Sequence, residues 1–377
     1  MKGVVAGIIM VLCAVAGFQP SFKSARAVPA IYVLGDSTLD VGNNNYLLGK
    51  SVPNALRPFY GVDFPGGPMP TGRYSNGYNI ADYIAKNLGF KRSPPAYLSL
   101  EAHHRQLVRS ALHGGVSYAS AGAGILDSTN AGNNIPLSKQ VKYFHLSKLV
   151  MEAKEGSQVV SDHLARSFFI LGIGSNDLYQ FVLEQQAKNK SATQSDAAAL
   201  YDSLMSNYSA TITDLYTMGA RKIGIINAGA TGCIPRVRAH TATGACDNGL
   251  NELVVGFNGA LSSFLAGGLA PKLPGLAYSL ADNFAHRLDI IAHPQAAGFV
   301  DTASACCGSG KLGAEGDCLP TSRICENRDG YIYWDWIHAT QRAAELAAQA
   351  FFRGPAQFTT PISFKQLAEK SYPLPSI

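Results

Sequence analysis

An α/β fold, with a parallel sheet buried between two helical layers, is predicted by three features of the sequence. Short β-branched or aromatic runs alternate with helical patterns, as strands and their crossover helices do. Those runs are apolar on both faces, which marks strands covered on both sides. The 377 residues are 47% hydrophobic and 15% charged, enough to bury a large core, which excludes a disordered, fibrous or coiled-coil chain.

The first 27 residues do not belong to that fold. Lys2 supplies a positive end, Val4 to Phe18 an apolar stretch, and Ala25-Arg26-Ala27 a small-x-small cleavage site, so 1–27 reads as a secretory signal and the mature chain starts near Val28. The stretch is shorter than the roughly 20 residues a spanning helix needs. No later window is expected to span a bilayer. Beyond it, strands are expected at Ile31 to Leu34, Val116 to Ala119, Phe168 to Ile173, Lys222 to Ile226 and Leu276 to Leu280. Helices are expected at Ile80 to Leu88, Ala197 to Met218, Gly249 to Leu265 and Thr340 to Phe351, with Gly219 and Gly354 as stops. Asp40 to Gly115, rich in Asn, Gly and Pro, reads as loop containing one helix, and Asp301 to Arg328 as a second irregular stretch. No repeat or linker separates two cores, so 28–377 is expected to form one domain.

Charge argues against nucleic acid. The 31 Lys and Arg against 26 Asp and Glu give +5; removing Lys2, Lys23 and Arg26 leaves 28 cations against 26 acids, or +2, with no dense basic run. Of the seven Cys, Cys13 leaves with the signal. The remaining Cys233, Cys246, Cys306, Cys307, Cys318 and Cys325 form an even set that suits disulfides in an oxidising compartment, with Cys233 and Cys246 close enough in sequence to bridge locally. Zinc fits poorly, because its sites use Cys-x2-Cys pairs. Asn189-Lys190-Ser191 and Asn207-Tyr208-Ser209 are acceptor sequons, making Asn189 and Asn207 possible glycosylation sites.

Four segments could carry chemistry. Gly35-Asp36-Ser37-Thr38-Leu39-Asp40-Val41-Gly42-Asn43-Asn44 begins where the first strand ends, and open parallel sheets bind ligands at the carboxyl ends of their strands. Read alone, Ser37 could equally cap a helix. Asp335 and His338 are three apart, so one helical turn would bring them together, and a carboxylate on one imidazole nitrogen supports proton uptake at the other. Read alone, Asp335 could be a helix cap and His338 a surface residue. Ala119-Ser120-Ala121-Gly122-Ala123-Gly124 and Gly172-Ile173-Gly174-Ser175-Asn176-Asp177 follow the second and third strands, where small residues and an Asn amide could donate hydrogen bonds. Phe59-Tyr60, Phe64 and Trp334-Asp335-Trp336 could line an acyl groove, stack on sugar rings, or simply pack.

Taken together and in this order, the segments resemble the GDSL, or SGNH, hydrolase family, and within it the plant GDSL esterase/lipase branch, over nearly all of the mature chain. The resemblance implies a three-layer αβα sandwich, flavodoxin-like, with about five parallel strands. It implies Ser37 as nucleophile, His338 as base and Asp335 as the carboxylate that orients it. Ser37, Gly122 and Asn176 would form the oxyanion hole, Gly122 being the choice by register among Ala121, Gly122 and Gly124. No metal or organic cofactor is implied, and the partner is a small or polymeric ester; the oligomeric state stays open. Two positions depart from the branch: Ser117 stands where Asn is usual, and Ala339 follows the histidine where Pro is usual. An acyltransferase with the same triad and a non-catalytic extracellular binding protein are the alternatives. The Gly-x-Ser-x-Gly elbow of α/β-hydrolases does not occur, and Asn44 occupies a position where a phosphate loop needs Gly.

Overall fold

The computed structural model describes residues 26–372. All but the last two residues of the expected signal segment therefore lie outside the described residues. A six-stranded sheet forms the centre of the fold. Five strands are parallel: β1 (Ile31–Gly35), β2 (Gly115–Ser117), β3 (Phe168–Gly172), β4 (Lys222–Ile226) and β5 (Ala277–Ala281). Thr359–Thr360 pairs antiparallel with β5 at one edge, a short strand with no sequence signal of its own. The order across the parallel part is 2-1-3-4-5, the flavodoxin-like order, and its topological switch point lies between β1 and β3.

Alternation along β1 and β3 shows why both sheet faces are apolar. Ile31, Val33, Phe168 and Ile170 face the helices Ile80–Asn87, Gln341–Arg353 and Phe364–Glu369. Tyr32, Leu34, Phe169 and Leu171 face the helices Leu137–Glu155, Ser157–Arg166, Gln194–Thr217 and Asn248–Ser263. Each residue of β1, β3 and β4 is buried, so neither face meets water.

Several sequence expectations need correcting. The Asp40–Gly115 stretch contains two α-helices, Ile80–Asn87 and His104–His113, because the second has a strong basic content that hides its short apolar face of Leu107, Val108 and Ala111. Helices at Leu137–Glu155, Ser157–Arg166, Ser175–Ala187 and Asn283–Ala292 were also not expected, their apolar stripes being diluted by Lys, Gln and His. One helical run, Asn248–Lys272, is long and apolar enough to cross a membrane, with mean hydropathy 1.5 over its richest window. Here its Leu250, Leu253, Val254, Phe257 and Leu261 are spent on the core against the sheet. Three disulfides are present: Cys233–Cys246, Cys306–Cys325 and Cys307–Cys318. The last two fasten a small irregular lobe in which Asp301–Ala305 pairs with Tyr331–Tyr333.

The long loop after β1 is itself pinned by a buried ion pair. Arg73 grips Asp82 with two hydrogen bonds, Nε to Oδ2 at 2.6 Å and Nη2 to Oδ1 at 2.9 Å, and Asp82 also accepts from the N–H groups of Asn79 and Ser93. Removing one partner strands the other charge out of water, so Asp82→Ala should lose roughly 3 to 5 kcal/mol of folding stability in urea denaturation. A loss below 1 kcal/mol would mean the pair is solvated in practice.

Candidate active site

The chain turns sharply at the carboxyl end of β1, and Gly35 makes the turn possible. Its φ of +156° and its closeness to the Gly172 carbonyl leave no room for a Cβ. Asp36 then accepts from the N–H and hydroxyl of Thr38, which closes a tight turn around Ser37. Burial raises the Asp36 carboxyl, with the Thr38 hydrogen bonds opposing it. Ser37 is left 9% exposed, at the floor of a cleft.

Asp40, Asn43 and Asn44 are builders of the site. The buried Asp40 carboxylate accepts from the N–H groups of Gly42, Asn43 and Ala121, at 2.7, 2.8 and 3.1 Å. Burial pushes its carboxyl up to about 6 against those hydrogen bonds. The Asn43 amide donates to the Ser117 and Ala119 carbonyls, and the Asn44 amide to that of Ala121. The first segment thereby holds the second in register, and Ala121 spends its N–H on Asp40. Gly122, one residue on with φ +82°, does not. Among the described residues, the backbone N–H groups of Ser37 and Gly122 form no hydrogen bond within the protein.

At the end of β3, Asp177 accepts from the N–H groups of Ile125 and Leu126 and from the Thr129 hydroxyl, while burial raises its carboxyl. Its neighbour Asn176 donates one amide N–H to the Ala123 carbonyl at 2.9 Å, which orients the side chain along the cleft wall. Ser37 and Asn176 thus follow β1 and β3, one on each side of the switch point, where an open α/β sheet leaves a crevice.

Asp335 and His338 do not lie on a helix, contrary to the expected helical turn. They occupy a bend between Tyr331–Tyr333 and the last long helix, whose cap is Thr340. The carboxylate makes the bend itself: Asp335 Oδ1 accepts from the N–H groups of Ile337 and His338 at 2.8 and 2.7 Å. His338 Nδ1 lies 2.8 Å from Asp335 Oδ2 and 2.9 Å from Oδ1, which leaves Nε2 on the other side of the ring. Burial alone would raise the Asp335 carboxyl, but the His338 ring and these N–H donors outweigh it and hold it below the usual value. The bend is braced by the disulfide lobe, since Cys306 and Cys307 donate their N–H groups to the carbonyls of Tyr333 and Trp334.

One cleft of about 580 Å³ is lined by Ser37, Gly122, Asn176, Asp335 and His338 together. Residues as far apart in sequence as Ser37 and His338 therefore line one place. Tyr60 and Trp336 also line it, whereas Trp334 is buried and Phe64 packs on Tyr78. Sequence reading missed two contacts. The Tyr60 hydroxyl donates to Asp335 Oδ2 at 2.7 Å, and the Tyr74 ring packs on that of His338 with centroids 4.8 Å apart. A lone Tyr in a loop carries no spacing that would reveal either.

The departures are local. The Ser117 hydroxyl is buried without a partner, and Ala339 forms a single bridge with Tyr333. Asn189 and Asn207 are both exposed, the first with φ 52° just beyond a helix end and the second in the middle of Gln194–Thr217. Among the described residues no cluster of His, Cys, Asp and Glu could hold a metal ion.

The family model described as GDSL-like lipase/acylhydrolase matches residues 31–351. A GDSL esterase/lipase of Arabidopsis thaliana is 37% identical over 358 residues, covering 93% of each chain. A second from that plant is 34% identical over 357 residues, covering 94% of this chain and 96% of its own. GDSL esterase/lipase 7, also of Arabidopsis thaliana, is 35% identical over 349 residues, covering 90% and 92%.

Proposed function

The chain belongs to the GDSL-like lipase/acylhydrolase family, and from that premise we propose that it is a serine esterase, hydrolysing carboxylic esters through an acyl-enzyme on Ser37. The observation that carries the reading is the shared cleft: a poorly exposed hydroxyl, an imidazole already fixed by a buried carboxylate, and two unpaired backbone N–H groups line one space.

In this reading His338 Nε2 takes the Ser37 proton as Oγ attacks the ester carbonyl, and Asp335 stabilises the imidazolium that forms. Negative charge moves onto the carbonyl oxygen. The N–H groups of Ser37 and Gly122 and the free amide N–H of Asn176 receive it, and because all three are held by the surrounding turns they need no reorganisation. Collapse of the tetrahedral adduct expels the alcohol, which takes the proton from His338. Water, deprotonated by the same ring, then releases the acid and restores Ser37. None of these steps uses a cofactor.

Lipid, cutin or wax esters and acetylated polysaccharide all remain within this chemistry. An extracellular setting is supported by the leader-like residues 1–27 and by the three disulfides, which persist in oxidising compartments. A fluorophosphonate probe applied to the folded protein should label Ser37 alone, located by peptide mass spectrometry, and block hydrolysis of a short p-nitrophenyl ester in proportion. Full hydrolysis after complete labelling, or labelling at another serine, would overturn the proposal.

A further inference from the structure

We propose that Tyr60 is a positioning residue for the acid–base pair, setting through Asp335 how strongly His338 holds its proton. The inference rests on the reading of Ser37, His338 and Asp335 given above, and it adds a hydroxyl from a residue that the sequence pointed to only as a candidate groove-lining or stacking aromatic.

Asp335 is fully buried, so each of its lone pairs needs a donor. Oδ1 is satisfied by the N–H groups of Ile337 and His338. The imidazole Nδ1 is within reach of both oxygens, 2.8 Å from Oδ2 and 2.9 Å from Oδ1, and Oδ2 has one further donor, the Tyr60 hydroxyl at 2.7 Å. Because Oδ1 already accepts two N–H groups, the ring leans on Oδ2 and shares that oxygen with the phenol. A donor there draws charge from the carboxylate and weakens its grip on the imidazolium. It also stops the carboxyl from rotating about its bond to Cβ, which would turn the ring away from Ser37.

The phenol is placed for this and for little else. Tyr60 is 3% exposed, and burial together with the adjoining Asp335 carboxylate holds its hydroxyl protonated, hence a donor. Its turn is fastened on both sides. The Gly61 N–H donates to the Ser75 carbonyl, and Asp63 takes a two-pronged hydrogen bond from Arg328 at 2.6 and 2.7 Å. Arg328 belongs to the disulfide lobe that braces Asp335, so the donor and acceptor are carried by segments locked to each other.

The test is the pH dependence of kcat/KM for a soluble short-chain ester, in protein with Tyr60→Phe and in protein with 3-fluorotyrosine at position 60. Removing the hydroxyl should lower kcat roughly tenfold, because the unheld carboxyl can rotate and turn the ring away from Ser37, with KM changed less than about twofold. The acid limb should move up, because the carboxylate then holds the imidazolium more firmly. Fluorination strengthens the donor and keeps its oxygen in place, so the limb should move down. Opposite movements are the signature; a merely structural tyrosine would change stability and leave the limb where it was. Should Tyr60→Phe not fold, the fluorinated protein decides alone, and an unmoved limb there overturns the inference. Failure of the underlying reading is seen separately, as wild-type hydrolysis by Ser37→Ala.

Discussion

Ser37→Ala is expected to lower kcat for ester hydrolysis by roughly a millionfold, the loss seen when the nucleophile of a serine triad is removed. The magnitude follows from what stays and what goes. Without Oγ there is no acyl-enzyme, and His338 has no proton to collect. The oxyanion donors remain, since two of the three are backbone N–H groups that alanine also supplies or leaves untouched, so a residual rate above that of water should persist. Folding should be unaffected. Among the described residues the Ser37 side chain makes no hydrogen bond, and the turn around it is closed by Asp36 and Thr38. Steady-state kinetics with an unaltered thermal midpoint would check both halves. A variant retaining even a tenth of the wild-type rate would remove Ser37 from the mechanism.

The sheet was legible in the sequence because its signal is local. Ile31 to Leu34 and Ile223 to Ile226 are apolar on both faces, and each of the five parallel strands lies within a residue or two of its expected place, whereas the edge strand Thr359–Thr360 was not expected. The candidate site was legible for a different reason: Ser37, Gly122, Asn176, Asp335 and His338, which line one cleft, sit in segments whose residue types are unusual as a set. Their meeting was not derivable from spacing. It depends on the 2-1-3-4-5 strand order, which brings β1 beside β3, and on the disulfide lobe, which carries the last bend back over β1.

Three contributions were hidden for physical reasons. Asp40, Asn43 and Asn44 look like turn residues, and they are, yet their side chains are what hold Ala121 and Gly122 at the crevice. The Asp335–His338 contact was expected from helical spacing and arises from a carboxylate accepting its own following N–H groups, a bend that the same Asp-x-x-His spacing equally allows. The Tyr60–Asp335 hydrogen bond joins residues 275 positions apart and leaves no trace in either neighbourhood.

Asp335→Asn should cost about ten-thousandfold in kcat near neutral pH, with KM nearly unchanged, and the reason lies in the donor count at this carboxylate. The amide oxygen can replace Oδ1 and accept from the N–H groups of Ile337 and His338. The NH2 then takes the place of Oδ2, where the Tyr60 hydroxyl points and the protonated His338 Nδ1 lies 2.8 Å away, while the Oδ1 position at 2.9 Å already accepts two N–H groups. An amide nitrogen accepts neither. The ring escapes the clash by moving its proton to Nε2, and an Nε2 that already carries a proton cannot take one from Ser37. Combining Asp335→Asn with Ser37→Ala should therefore give no lower rate than Ser37→Ala alone, because both changes disable one unit. Stability supplies an independent check with a definite sign. The Asp335 carboxyl is held below its usual value in the folded protein, so its contribution is present above the unfolded value of about 3.9 and is lost as pH falls through the lower folded one. Asparagine has no such proton. The difference in unfolding free energy between wild type and variant should hold constant above about pH 5 and narrow in stronger acid; a difference that instead widened on acidification, or a variant within tenfold of wild-type kcat, would show that Asp335 is not the partner of the catalytic imidazole.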